Sequence, residues 1–120
     1  MSHFAYKKNN LFVENVPIRK IAMRHESPFY LYSNHAIINN YKSFLNNFKK
    51  VNPLICFSVK ANSNVQILKL LKRIGSGADV VSGGELLKAL KSGIKPSKIV
   101  FSGVGKTEEE LKLAIKKEIL

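Results

Sequence analysis

From residue 54 onward the chain repeats one pattern three times: a short apolar run, a small or polar turn, then a segment whose apolar residues recur at helical spacing. Leu54 to Val59 predicts a strand. Asn64 then caps a helix carrying Val65, Leu68 and Leu71 that stops at Gly75, a residue suited to the left-handed position after a helix. Ala78 to Val81 predicts the next strand. Ser82-Gly83-Gly84-Glu85 has the Ser-x-x-Glu form of a capping box, and its helix runs through Leu86, Leu87 and Leu90 to Gly93. Lys98 to Phe101 predicts the third strand, Thr107-Glu108-Glu109-Glu110 a second capping box, and Ile119-Leu120 the first step of a fourth strand. Strands beginning near residues 54, 78 and 98, each followed by a helix, have the period of βαβ units with right-handed crossovers and a parallel sheet. The class is therefore α/β, and two closures fit: an open doubly wound sheet or a (β/α)8 TIM barrel. A whole barrel takes about 250 residues, so a barrel reading makes these three units its first part. It also predicts helices on one side of the strands and an apolar opposite side.

Upstream the pattern is less regular. Residues 1–28 predict a strand or two and one short helix around Ile18 to Arg24. Pro28-Phe29-Tyr30-Leu31-Tyr32 predicts a compact aromatic strand, and Ser33 or Asn34 is placed to cap a helix from about Asn34 to Lys49. In that helix Ile37, Tyr41, Phe44, Leu45 and Phe48 fall on one face.

Composition narrows the class. The 120 residues are 45% hydrophobic and 23% charged, the proportions of an ordinary globular unit. No stretch approaches the length of a membrane span, and the start of the chain has no apolar signal core, so a cytoplasmic protein without a membrane partner is expected. Cys56 stands alone in Leu54-Ile55-Cys56-Phe57 and is expected to be a small buried hydrophobe. The net charge of +12 invites an anionic partner. The basic residues are mostly Lys spread from Lys7 to Lys117, however, a pattern that favours solvated helix faces over nucleic-acid binding.

Two glycine-rich stretches fail as phosphate loops on spacing. Gly103-Val104-Gly105-Lys106-Thr107 ends like a P-loop but has Val100 where that loop needs its first glycine, so a turn and a helix cap are expected. Gly75-Ser76-Gly77 precedes a strand instead of following one. His3, His25 and His35 lack neighbours at ligand spacing, and no metal site is expected. Lys60 is the informative residue. It follows the apolar run Ile55 to Val59 and so sits at the carboxyl end of a predicted strand, where parallel α/β folds place their sites. A lysine there is either an amine able to condense with a carbonyl or a residue leading out to solvent, and position alone leaves both open.

Phe57-Ser58-Val59-Lys60-Ala61-Asn62, with Ile67-Leu68, Leu71 and Gly75 at matching intervals, resembles the cofactor-lysine signature of the fold-type III pyridoxal-phosphate decarboxylases. Gly77-Ala78-Asp79-Val80-Val81-Ser82-Gly83-Gly84-Glu85-Leu86 and Phe101-Ser102-Gly103-Val104-Gly105-Lys106-Thr107 resemble its next two blocks. The likeness reaches back through Pro28 to Tyr32 and Val16-Pro17-Ile18, and is strongest to the branch that converts meso-diaminopimelate to L-lysine. Alanine racemases share the Lys-Ala-Asn core but continue with a Tyr-Gly pair absent after Asn62.

The resemblance implies an alanine racemase-like TIM barrel and pyridoxal 5'-phosphate as cofactor. Lys60 would be the Schiff-base lysine, with Asp79, Ser82 and Glu85 near the cofactor. It also implies an amino-acid substrate and a homodimer. Residues 1–27 would be a segment packing with a later β domain, and 28–120 a partial cofactor-binding barrel. Ser58 stands where the motif more often has Ala, and Met23 to Ser27 departs from the usual Gly-Thr-containing approach. In the family the phosphate loop, the pyridinium partner and the β domain come later, so the chain is expected to be an amino-terminal piece. Its remaining barrel could be supplied by a separate chain, and little catalysis is expected without it. Another fold-type III enzyme, a racemase or an ornithine/arginine-type decarboxylase, and a small basic nucleic-acid binder are the competing readings.

Overall fold

The structure is a computed structural model describing residues 3–120; Met1 and Ser2, at the start of the expected amino-terminal segment, lie outside the described residues. It forms two compact units, the first reaching to Phe44 and the second spanning Leu45–Leu120.

In the first unit β1 (Phe4–Lys7), β2 (Asn10–Val13) and β3 (Val16–Pro17) make an antiparallel meander. Lys8 and Asn9 join β1 to β2 with φ of 48° and 63°, the positive pair that a two-residue hairpin turn needs to match strand twist. The expected short helix is α1 (Ile18–Ala22). The helix α2 (Asn34–Asn46) begins as expected, with the Ser33 hydroxyl accepting the Ala36 N–H at 3.0 Å. It ends before Lys49, and residues 49–51 form a separate 3-10 turn closed by Asn52 at φ 44°.

One expectation is corrected here: Pro28 to Tyr32 is not a strand. A strand exists only where a neighbouring backbone takes its N–H and C=O groups, and this segment joins no ladder among the described residues. Aromatic composition alone does not supply that neighbour. Tyr30 and Tyr32 instead stack in the open, ring centroids 6.5 Å apart.

The second unit carries the expected βαβ pattern. β4 (Cys56–Ser58), β5 (Gly77–Val80) and β6 (Ile99–Phe101) lie side by side in that order, all parallel. The connecting helices are α3 (Val65–Arg73) and α4 (Gly83–Lys91), and α5 (Glu108–Lys116) follows β6. Asn64 caps α3 through its side chain, and Gly75 at φ 97° ends it where an L side chain would be strained. Leu120 donates its N–H to the Ile99 carbonyl at 3.0 Å, the first rung expected of a further strand beside β6.

Strand alternation decides what each face of the sheet does. Phe57, Ala78, Val80, Ile99 and Phe101 turn to the helices and pack with Leu68, Leu86, Ala89 and Ala114 in one core. The alternate positions Cys56, Ser58, Gly77, Asp79 and Val100 form the other face. The helices therefore cover one side, but the opposite side is not the apolar surface expected: its centre is a carboxylate flanked by hydroxyls. Cys56 is corrected with it, being half-buried on this polar face instead of in the core. Its Sγ fills the space over Gly77, where a Cβ would stand 2.8 Å from the sulfur and run into the Lys98 carbonyl.

Candidate functional site

Because the strands are parallel, their carboxyl ends share one edge, and the register sets Ser58 opposite Asp79 and Asp79 opposite Val100. β4 is shorter than predicted. The chain leaves it through the 3-10 turn Val59–Ala61, closed by the Asn62 N–H on the Val59 carbonyl at 3.1 Å. Val59 is fully buried and anchors the turn, while the next residue, Lys60, is exposed. Its amine has no hydrogen bond or ion pair among the described residues.

Asp79 is held on both oxygens. The Ser58 hydroxyl donates to Oδ2 at 3.2 Å from β4, and the Ser102 hydroxyl donates to Oδ1 from just past β6. The Ser102 backbone is itself fixed by its N–H on the Val80 carbonyl at 3.0 Å. On the same face burial pushes the Cys56 thiol above its ordinary value, and the Asp79 charge adds to the shift.

Ser82 and Glu85 follow β5 at the same edge, and both are engaged in starting α4. The Ser82 hydroxyl accepts the Glu85 N–H at 3.3 Å. The Glu85 carboxylate accepts the N–H of Val81 at 2.9 Å, one residue earlier than a capping box would have it. The predicted box is thus half formed, its return bond moved into the strand end. At α5 the box is complete, and Glu110 does more than predicted: one oxygen accepts the Thr107 N–H at 3.0 Å and the other the Gly83 N–H at 2.7 Å, tying the starts of α5 and α4 together. These two N–H donors hold its carboxyl below the usual range. Lys106 donates to the Gly103 carbonyl at 2.6 Å and lies 5.2 Å from the Phe101 ring centre, so Gly-Lys-Thr is the expected turn and cap.

The family resemblance put Lys60 and Asp79 near one cofactor but did not point to Ser58 and Ser102 as Asp79's partners. The signal for Ser58 was present in its departure from the commoner Ala of the motif and in its even spacing from Lys60.

Residues 34–120 match the family profile described as pyridoxal-dependent decarboxylase, pyridoxal binding domain. The chain is 44% identical over 118 residues to the diaminopimelate decarboxylase of Aquifex aeolicus, covering 98% of this chain and 28% of that protein. It is 52% identical over 96 residues to the diaminopimelate decarboxylase of Helicobacter pylori strain J99, covering 80% of this chain and 24% of that one. Among solved structures, diaminopimelate decarboxylase from M. jannaschii in complex with L-lysine superposes with a TM-score of 0.92 at 34% identity, over 97% of this chain and 28% of that one. The chain thus spans about a quarter of the length of these relatives, and its three parallel βα units are a portion of their fold. Joined to a lysine at the strand edge inside the matching signature, these likenesses place the chain in the family of pyridoxal-dependent decarboxylases, with Asn34 to Leu120 falling in the pyridoxal-binding domain.

Proposed function

We propose that this chain supplies the cofactor-binding lysine of a diaminopimelate decarboxylase, and that Lys60 is that lysine. The observation that carries the reading is Lys60 itself: exposed, unpaired among the described residues and set on a turn anchored by buried Val59, at the carboxyl edge of parallel strands. The residues present fit the family's cofactor, pyridoxal phosphate. An aldehyde needs a free amine, and the strand edge beside Lys60 carries the polar side chains Ser58, Asp79 and Ser102. Bound there, pyridoxal phosphate would supply the electron sink that decarboxylation of an amino acid needs. The chain's own part is to hold and orient. Lys60 gives the attachment point and Asp79 a fixed negative charge, while Ser82 and Glu85 shape the turn that opens α4 beside them.

By the same resemblance the substrate is meso-diaminopimelate and the product L-lysine. The whole enzyme acts as a cytoplasmic homodimer, with residues 28–120 in its barrel and residues 1–27 against a β domain. No helix among the described residues is long and apolar enough to cross a membrane. The test is reductive trapping: pyridoxal phosphate with borohydride adds its mass at Lys60, and Lys60→Ala abolishes that adduct. Labelling spread over surface lysines with no preference for Lys60 overturns the reading.

A further inference from the structure

Asp79 is an acidic side chain on the strand next to the one that leads into Lys60. It faces Ser58 across the β4–β5 register, and Lys60 lies two residues beyond Ser58. The chain leaves β4 through the 3-10 turn Val59–Ala61, and that turn packs against β5, the strand that carries Asp79. An ion pair between Lys60 and Asp79 would hold the amine as an ammonium, which has no lone pair to attack a carbonyl. Among the described residues the pair does not form. Each Asp79 oxygen instead accepts a serine hydroxyl, one from the β4 side and one from beyond β6. Donors on both oxygens, arriving from different strands, fix the rotation of the carboxylate.

We propose that Ser58 and Ser102 are positioning residues that clamp Asp79 and so keep the Lys60 amine free to take an aldehyde. The proposal rests on Lys60 being the cofactor lysine. It gives a purpose to Ser58, which sequence comparison with the motif marks only as a substitution for Ala.

The rate of reductive labelling at Lys60 in the intact protein tests the clamp, with cyanoborohydride and either pyridoxal phosphate or formaldehyde. The amine condenses with the aldehyde, water leaves, and hydride from the reagent reduces the C=N bond, so mass gained at Lys60 counts attack. Ser58→Ala and Ser102→Ala should each slow labelling, and the double variant should be about two- to fivefold slower, the worth of an exposed ion pair. Adding Asp79→Asn to the double variant should restore the rate, and Ser58→Thr should preserve it. Lys69 on α3 serves as the internal reference. An unchanged rate in the double variant overturns the clamp, as does slowing that persists with Asp79→Asn, which is the mark of structural damage. Formaldehyde separates the two readings: if pyridoxal phosphate ignores Lys60 in the parent protein, the cofactor role fails, while the formaldehyde rates still decide the clamp.

Discussion

Glu14 ties the turn after β2 to the start of α2. It sits at φ 55° in the turn after β2 and accepts the Ser33 hydroxyl at 2.6 Å and the His35 N–H at 3.0 Å, with His35 Nδ1 2.9 Å away. The Ser33 hydroxyl, then the His35 N–H, hold its carboxyl below the ordinary glutamate range, with the charges of His35 and His3 adding and partial burial opposing. A carboxyl lowered in the folded state binds protons more readily when unfolded, so its stabilisation is complete above the unfolded value and is lost as pH falls through the lower, folded one. Melting temperature followed downward from neutral pH should therefore begin to fall near pH 4.5, the ordinary glutamate value. Glu14→Gln should melt lower at neutral pH and lose part of that acid slope. Superposable curves for the two proteins would show that Glu14 does not staple the turn to α2.

At the scale of elements, the two helix starts differ in a way that can be measured. α5 has both bonds of its box, and Thr107 accepts the Glu110 N–H at 3.2 Å. Thr107→Ala should cost about 1 kcal/mol in chemical denaturation, the usual worth of such a cap; a change near zero would mean that the Gly83–Glu110 link alone holds the start. The sequence made these elements legible because local chemistry fixes them: Asn64, Ser82 and Thr107 each cap the helix expected of them, and Gly75 and Gly93 end theirs at positive φ. It failed where the deciding partner is remote in sequence. Pro28 to Tyr32 has the composition of a strand but no ladder among the described residues. Glu85 reaches the N–H of Val81, one residue back toward the strand, in place of that of Ser82. The polar face escaped notice because Ser58, Asp79 and Ser102 are separated by about twenty residues each, and only the parallel register unites them. Lys60 was legible as a position; the partners of Asp79 beside it were not.

At the scale of the molecule, charge and apolar surface pull in opposite directions. β4 pairs with β5 alone among the described residues, so its outer edge offers unpaired backbone groups. On the other flank Leu111, Ile115 and Leu120 are exposed in a groove with Phe101 and Ile119, next to the Leu120–Ile99 rung. Covering such surface is favourable by about 25 cal/mol per Å². Twenty basic residues against eight acidic ones oppose association, since every copy carries the same net charge of +12. The balance depends on salt: between about 0.01 M and about 1 M the screening length drops from about 30 Å to about 3 Å, removing the repulsion and leaving the apolar attraction intact. Light scattering across that range should show a mass near 13.5 kDa at low salt that climbs with ionic strength and with protein concentration. Ile115→Lys, which places a charge in the groove, should delay the climb to higher salt. A mass that stays monomeric throughout would mean that the groove and the strand edge are too small or too well shielded to drive association, whereas a large mass at low salt that dissolves as salt rises would assign it to ionic contacts.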